Sequence, residues 1–184
     1  MKKNNDIEIY GTQYISPLGN IFLASDGKNL IGLWIEGQKY FVNNFEVETM
    51  IIKDNLEIFI KTKKWLDRYF KLQKPNISEL ELAPIGSKFR TNVWKILCDI
   101  PYGETITYGE IAKMMAKKLN KNSMSAQAVG NAVGHNPISI IIPCHRVVGK
   151  DGNLTGYAGG IDRKIKLLKL EGVDLSKFYR PKNV

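Results

Sequence analysis

The segment Leu82-Ala83-Pro84-Ile85-Gly86-Ser87 divides the chain into two stretches with different apolar patterns. From Glu8 to Glu36 the apolar runs are short and end in turn signals, Ser16-Pro17-Leu18-Gly19-Asn20 and Asp26-Gly27-Lys28-Asn29. Ile21-Phe22-Leu23-Ala24 and Leu30-Ile31-Gly32-Leu33-Trp34-Ile35 read as paired strands. A helix over about 54–71 closes this part, with Leu56, Phe59, Ile60, Trp65, Leu66 and Phe70 near helical spacing. Beyond the linker helical spacing dominates. The expected fold is therefore α/β (α+β): a small N-terminal sheet-and-helix domain over 1–84 and a mainly helical C-terminal domain over 85–184.

In the second part Phe89, Val93, Trp94, Leu97 and Ile100 mark one helix face, stopped by Pro101-Tyr102-Gly103. Thr107-Tyr108-Gly109-Glu110 fits a capping box and predicts a helix over about 108–118 that buries Ile111, Ala112 and Met115. A polar turn from Leu119 to Ser125 separates it from a second short helix that stops at Gly134-His135-Asn136-Pro137. Two short helices joined by a polar turn suggest a helix-turn-helix, although this turn exceeds the usual three or four residues.

Charge sharpens the reading. Residues 1–85 hold 11 basic and 11 acidic side chains, whereas 86–184 hold 16 and 7, so the whole net charge of +9 lies in the second part. Such asymmetry fits a polyanionic partner, nucleic acid or an anionic membrane surface, and equally a solvated basic face. Two cysteines, Cys98 and Cys144, give no disulfide framework and fit a reducing compartment. Met1-Lys2-Lys3-Asn4-Asn5-Asp6 leads into no apolar signal core, and no run approaches the roughly 20 apolar residues of a membrane span. The expected location is the cytoplasm.

Reactive side chains concentrate after Ser139-Ile140-Ile141-Ile142, a run rich in β-branched residues that reads as a buried strand and delivers Pro143-Cys144-His145-Arg146 at its end. A cysteine reacts as the thiolate and needs a base or positive field nearby, and His145 and Arg146 supply both types. Adjacent strand residues face opposite ways, so the pairing requires the chain to turn at Cys144. Without that turn Cys144 is a buried, inert thiol. Glu171 bears on the choice. It falls three after Leu168 and four after Leu167, on the apolar side of a helix running from Ile161 to a cap at Gly172, and at the end where the helix dipole disfavours a carboxylate. A specific partner would explain that position, and His145 is the natural one, giving a Cys144-His145-Glu171 relay. Two histidines and two cysteines without paired spacing do not make a zinc site. The glycines at 149, 152, 156, 159 and 160 match neither dinucleotide nor P-loop spacing.

Ile142-Pro143-Cys144-His145-Arg146-Val147 resembles the active-site signature of the methylated-DNA–protein-cysteine methyltransferases. Further blocks in the same order carry the resemblance: Val93-Trp94 through Pro101-Tyr102-Gly103, Thr107-Tyr108, Ala128-Val129-Gly130 through Asn136-Pro137, and Gly156-Tyr157-Ala158-Gly159-Gly160 through Glu171. The likeness implies direct, irreversible, single-turnover transfer of the alkyl group of 6-O-methylguanine, and of 4-O-methylthymine, to Cys144, with no cofactor and no metal. It implies a monomer acting on double-stranded DNA. Catalytic roles would fall to Cys144, to His145 acting through a bound water, to Glu171 orienting His145, to Tyr108 as donor to the leaving guanine and to Asn136 bracing the turn. The backbone carbonyls of Cys144 and Val147 would read the base. DNA contacts would come from Thr107, Gln127, Ala128, Arg146, Tyr157, Ala158 and Gly159, with the second short helix in the minor groove and the damaged nucleotide swung out.

The sequence departs from the family pattern at Gln127, where an arginine normally fills the gap left by the flipped base, and at Ala158, where many members carry a serine. Two rivals are a helix-turn-helix module with a structural Cys144, and a thiol hydrolase using Cys144 and His145. The first leaves Glu171 unexplained and the second leaves the charge asymmetry unexplained.

Overall fold

A computed structural model of the chain describes residues 8–40 and 50–181. The reading of Met1 to Asp6 lies outside the described residues. The first part forms a four-stranded sheet of β1 (Tyr10–Ser16), β2 (Gly19–Ser25), β3 (Leu30–Ile35) and β4 (Ile51–Ile52), in the order β3-β2-β1-β4. β1 and β2 are an antiparallel hairpin in which Ser16 pairs with Gly19. The Ser16 hydroxyl accepts from the Leu18 amide at 3.1 Å and donates to the Gly19 carbonyl at 2.7 Å, while Gly19 takes a φ of 107° that the tight turn needs. The predicted pairing of the next two runs is antiparallel, Ile21 opposite Ile35, with an irregularity between Ala24 and Ser25.

Helix α1 (Glu57–Phe70) packs below with Ile58, Phe59, Thr62, Trp65, Leu66 and Tyr69 buried. Helical spacing alone predicts Ile60 and Phe70 among the inward residues. The stripe at 58, 62, 65 and 69 runs instead on the 3–4 spacing of one face, leaving Ile60 43% exposed and turning Tyr69 inward.

In the second part α2 (Lys88–Cys98) starts on Ser87, and β5 (Ile106–Thr107) leads into α3 (Tyr108–Lys118). The Thr107–Glu110 capping box is formed, the Thr107 hydroxyl accepting from the Glu110 amide at 3.1 Å and the Thr107 amide donating to the Glu110 carboxylate at 2.8 Å. Helix α4 (Ala126–Gly134) is capped by Ser125, and β5 pairs parallel with β6 (Val147–Val148) before α5 (Ile161–Leu170). One hydrophobic core joins the parts, from Leu23, Leu33 and Phe59 through Trp94 and Val129 to Ile142, Cys144 and Leu167. Among the described residues no helix is long and apolar enough to cross a membrane.

Ser139–Ile142 is not a strand, as the sequence suggested, but a compact turn. Only its entrance meets the sheet: the Leu33 amide donates to the Pro137 carbonyl at 2.8 Å and the Ser139 amide to the Leu33 carbonyl at 2.9 Å. The chain then folds back, the Ile142 amide reaching the Ile138 carbonyl at 3.1 Å, with Ile140 at a φ of 69°. Ile138, Ile140, Ile141 and Ile142 are all within 1% of full burial, so packing on every side overrides the local strand preference. A β-branched residue in the left-handed region costs on the order of 1–3 kcal/mol and persists only where its surroundings enforce it.

Candidate functional site

The enforcing group is Asn136. Its amide nitrogen faces the carbonyls of Ile138 at 3.2 Å and Ile142 at 2.8 Å and the Cys144 sulfur at 3.1 Å, while its Oδ1 accepts from the Ile138 amide at 3.0 Å. Both ends of the turn are thereby tied to one side chain, which also donates to the thiol. Cys144 opens a single 3-10 turn, Cys144–Arg146, so Cys144, His145 and Arg146 are presented successively round a tight bend. Cys144 is 4% exposed. Burial pushes its thiol pKa up, opposed by the Asn136 hydrogen bond and the Lys164 charge.

Behind the bend lies Glu171, 4% exposed. Its Oε1 sits 2.7 Å from His145 Nε2, 3.0 Å from Arg146 Nη2 and 2.6 Å from the Tyr69 hydroxyl, and its Oε2 accepts from Arg146 Nε at 2.8 Å. Burial would raise the carboxyl pKa, but the hydrogen bonds and charges of His145 and Arg146 outweigh it and hold the group well below the usual carboxylate range. His145, with no exposed surface, is held neutral by burial, which outweighs the attraction of Glu171; Arg146 and Lys164 add to the depression. A neutral ring that donates through Nε2 to a carboxylate leaves Nδ1 as an acceptor. Nδ1 is buried and has no hydrogen-bond partner among the described residues.

A second cluster adjoins. The Tyr108 hydroxyl, on the first residue of α3, donates towards the carbonyls of Thr155 at 3.2 Å and Gly156 at 3.4 Å. Burial and the neighbouring Cys144 keep this phenol protonated far above neutral pH. Tyr157 is 7% exposed and meets the His145 ring edge-on at 6.4 Å. It also lines a cleft of about 540 Å³ between Gly130, Asn131 and Gly134 of α4 and the loop 155–161. From the first part, the Lys39 amide donates to the Ala158 carbonyl at 2.9 Å and holds that loop.

Gln127 is exposed on the first turn of α4 and Ala128 is half-buried beside it, while the Thr107 hydroxyl is engaged in its capping box. Gly159 is buried under Tyr157, whose ring would meet an added Cβ at 2.5 Å. Arg146 departs from expectation. Its guanidinium does not reach the surface: it is 6% exposed, forked onto Glu171 and donates through Nη1 to the Ile100 carbonyl at 2.6 Å. A planar fork facing a buried carboxylate has better partners there than in solvent.

Sequence reasoning missed two contributors. Lys164 has no exposed surface and donates to the carbonyls of Val147 at 2.5 Å and Thr155 at 2.8 Å; burial lowers its pKa to about 8. Its spacing from Leu167 and Leu168 marks it as lying on the buried face of α5. Tyr69 was legible in the same way, four residues after Trp65.

Comparison with known proteins adds independent findings. The family model described as 6-O-methylguanine DNA methyltransferase, DNA binding domain, matches residues 88–173, and that of the ribonuclease-like domain of the same methyltransferases matches 9–84. The methylated-DNA–protein-cysteine methyltransferase of Haemophilus influenzae is 40% identical over 165 residues, 90% of this chain and 87% of that protein. That of Methanosarcina acetivorans is 43% identical over 165 residues, 89% and 99% of the two chains. The crystal structure of Mycobacterium tuberculosis OGT in complex with DNA superposes with a TM-score of 0.75 at 38% identity, covering 92% of this chain and 94% of that one. The chain belongs to the 6-O-methylguanine DNA methyltransferase family.

Proposed function

We propose that Cys144 is the residue on which this chain takes an alkyl group from 6-O-methylguanine in double-stranded DNA, and from 4-O-methylthymine. Repair of DNA by alkyl transfer to a protein cysteine is the activity of the family. The single observation that supports the assignment to Cys144 is the 3-10 turn that opens on this residue and runs directly into His145, whose Nε2 lies 2.7 Å from Glu171 Oε1.

In this reading His145 Nδ1 accepts the thiol proton through a bound water, and the neighbouring Glu171 anion stabilises the imidazolium. The sulfur attacks the alkyl carbon, an S–C bond forms and the C–O bond to the base breaks. The base leaves with that electron pair, stabilised by a hydrogen bond from Tyr108, and ends with the proton that the thiol gave up. The thioether is not reversed, so each molecule acts once. The carbonyls of Cys144 and Val147 read the base; the latter keeps one lone pair beyond its bond to Lys164.

With Cys144 only 4% exposed, a base reaches it when the loop 155–160 moves away from Tyr108. Helices α3 and α4 serve as a helix-turn-helix, with α4, Gln127 and Ala128 in the minor groove, Thr107 beside it, and Tyr157, Ala158 and Gly159 against the flipped nucleotide. The protein acts as a monomer, and in the cytoplasm, a location that its two free thiols fit.

The test is to incubate the protein with a duplex bearing 6-O-methylguanine and weigh it intact. A gain of one methyl group, mapped to Cys144 and absent from Cys144→Ala, is the expected result. Binding without any adduct, or turnover of a thioester by an unmodified protein, would sink the reading.

A further inference from the structure

We propose that Tyr69, contributed by the sheet-bearing part of the chain, is a positioning residue of the His145–Glu171 relay, fixing the carboxylate oxygen that holds the imidazole. Tyr69 lies on α1, 102 positions away from Glu171, and donates to Oε1 at 2.6 Å. It is 1% exposed, so no solvent replaces that bond. The same oxygen holds His145 Nε2 at 2.7 Å, so the phenol and the imidazole share one acceptor. The ring cannot swing away: it stacks on Trp65 at 5.4 Å and meets Phe70 and Tyr102 edge-on at 5.3 and 6.1 Å. Burial and the Glu171 charge keep the phenol protonated, which leaves it only the role of donor.

A carboxylate oxygen shared among three donors presents less negative charge to each. Without the Tyr69 hydroxyl, more of the Oε1 charge falls on His145, which becomes easier to protonate, while the carboxylate loses one of its restraints. The other titratable or charged groups around His145 are Arg146 and Cys144 on its own turn, Lys164 on α5 and Tyr157 in the adjoining loop. Tyr102, whose hydroxyl donates to the Leu170 carbonyl at 3.2 Å, and the Gly103 amide, which donates to Oε2 at 3.4 Å, also border Glu171. None of these touches Oε1 except Arg146. The first part of the chain thus has a place in the chemistry beyond supporting the fold.

The proposal rests on the relay described above, and the test separates the two. The single-turnover methyl-transfer rate of the full chain is measured against pH for wild type, Tyr69→Phe and the protein carrying difluorotyrosine at position 69. The Phe variant is expected to transfer about five-fold more slowly at its plateau, with its acid limb about half a pH unit higher. The more acidic fluorinated phenol, a stronger donor, moves the limb the other way even if the Phe variant folds poorly. Tyr14→Phe, which removes a hydroxyl bonded to Asp67 at 2.8 Å in the same part of the chain, serves as the control and matches wild type. Acid limbs that coincide in all proteins, with or without a lower plateau, reduce Tyr69 to a packing residue and overturn the proposal. A wild-type profile without any acid limb overturns the relay itself and the proposal with it.

Discussion

Arg146 and Glu171 form a bidentate ion pair inside the protein, Nε to Oε2 at 2.8 Å and Nη2 to Oε1 at 3.0 Å, with the residues 6% and 4% exposed. A guanidinium cannot shed its proton, so the carboxylate beside it stays an anion whatever His145 does. The Glu171 carboxylate, held by that fork, is therefore the fixed acceptor against which the imidazole is oriented.

Removing one member should leave the other charged and buried. Arg146→Met is expected to cost about 3–5 kcal/mol of stability, read as a lower urea midpoint. Arg146→Lys keeps the charge but not the fork, and should recover only part of that loss. Because the side chain faces Glu171 rather than phosphate, neither change should alter the salt dependence of DNA binding in protein that remains folded. A shallower salt slope in folded Arg146→Met would return this residue to the DNA surface.

Acid should destabilise the protein over two successive pH windows. His145 has a folded-state pKa depressed below its ordinary 6.5, and Glu171 one depressed below its ordinary 4.5. A depressed group contributes stability that is present above the unfolded value and lost as pH falls towards the folded one. The His145 loss therefore begins below pH 6.5 and the Glu171 loss below pH 4.5. Urea midpoints of wild type and His145→Gln, compared on stepping down from neutral pH, should converge first through the His145 window. Parallel curves there would show that the imidazole is already charged in the folded protein.

The loop glycine at 156 has a structural requirement. Its φ is 81°, and a Cβ would lie 2.3 Å from the Tyr108 hydroxyl. Gly156→Ala should displace that hydroxyl and slow transfer about tenfold or more, with a stability cost of about 1–2 kcal/mol. Chemistry at Cys144 is the sensitive readout: a wild-type transfer rate in Gly156→Ala would mean that Tyr108 does not need its present position.

What could be read from the sequence was whatever local rules decide. The Thr107–Glu110 capping box gave the start of α3 at Tyr108, and the spacing of Glu171 from Leu167 and Leu168 gave a carboxylate facing inward. The turn through Ile140 was hidden because three β-branched residues in a row favour a strand; only the side chain of Asn136 and burial on every face explain the bend. Arg146 is buried against a distant partner for a related reason. Charge alone suggests solvent or phosphate, and the partner that draws it inward stands 25 residues away. Tyr69 and Lys164 both sat at inward positions of helices, but their acceptors lie on other segments and only the assembled fold names them.

The basic excess of the second part now has fewer cations to offer DNA than its composition suggests. Of the 16 basic residues in 86–184, Arg146 and Lys164 are 6% and 0% exposed and serve the interior. Those of the other described basic residues that reach solvent, with the uncharged Gln127 on the first turn of α4, should hold phosphates as a distributed field. DNA affinity is then expected to fall steeply with salt, the logarithmic slope changing by about 0.9 for each phosphate neutralised. Gln127→Arg should slow release of the flipped nucleotide; if its guanidinium also reaches a phosphate, the slope steepens by about one such unit. Binding titrations across a salt series on wild type and Gln127→Arg measure both. A nearly flat wild-type slope would mean that the excess is a solvated face, and an unchanged release rate in Gln127→Arg would mean that α4 does not carry this residue to the vacated base.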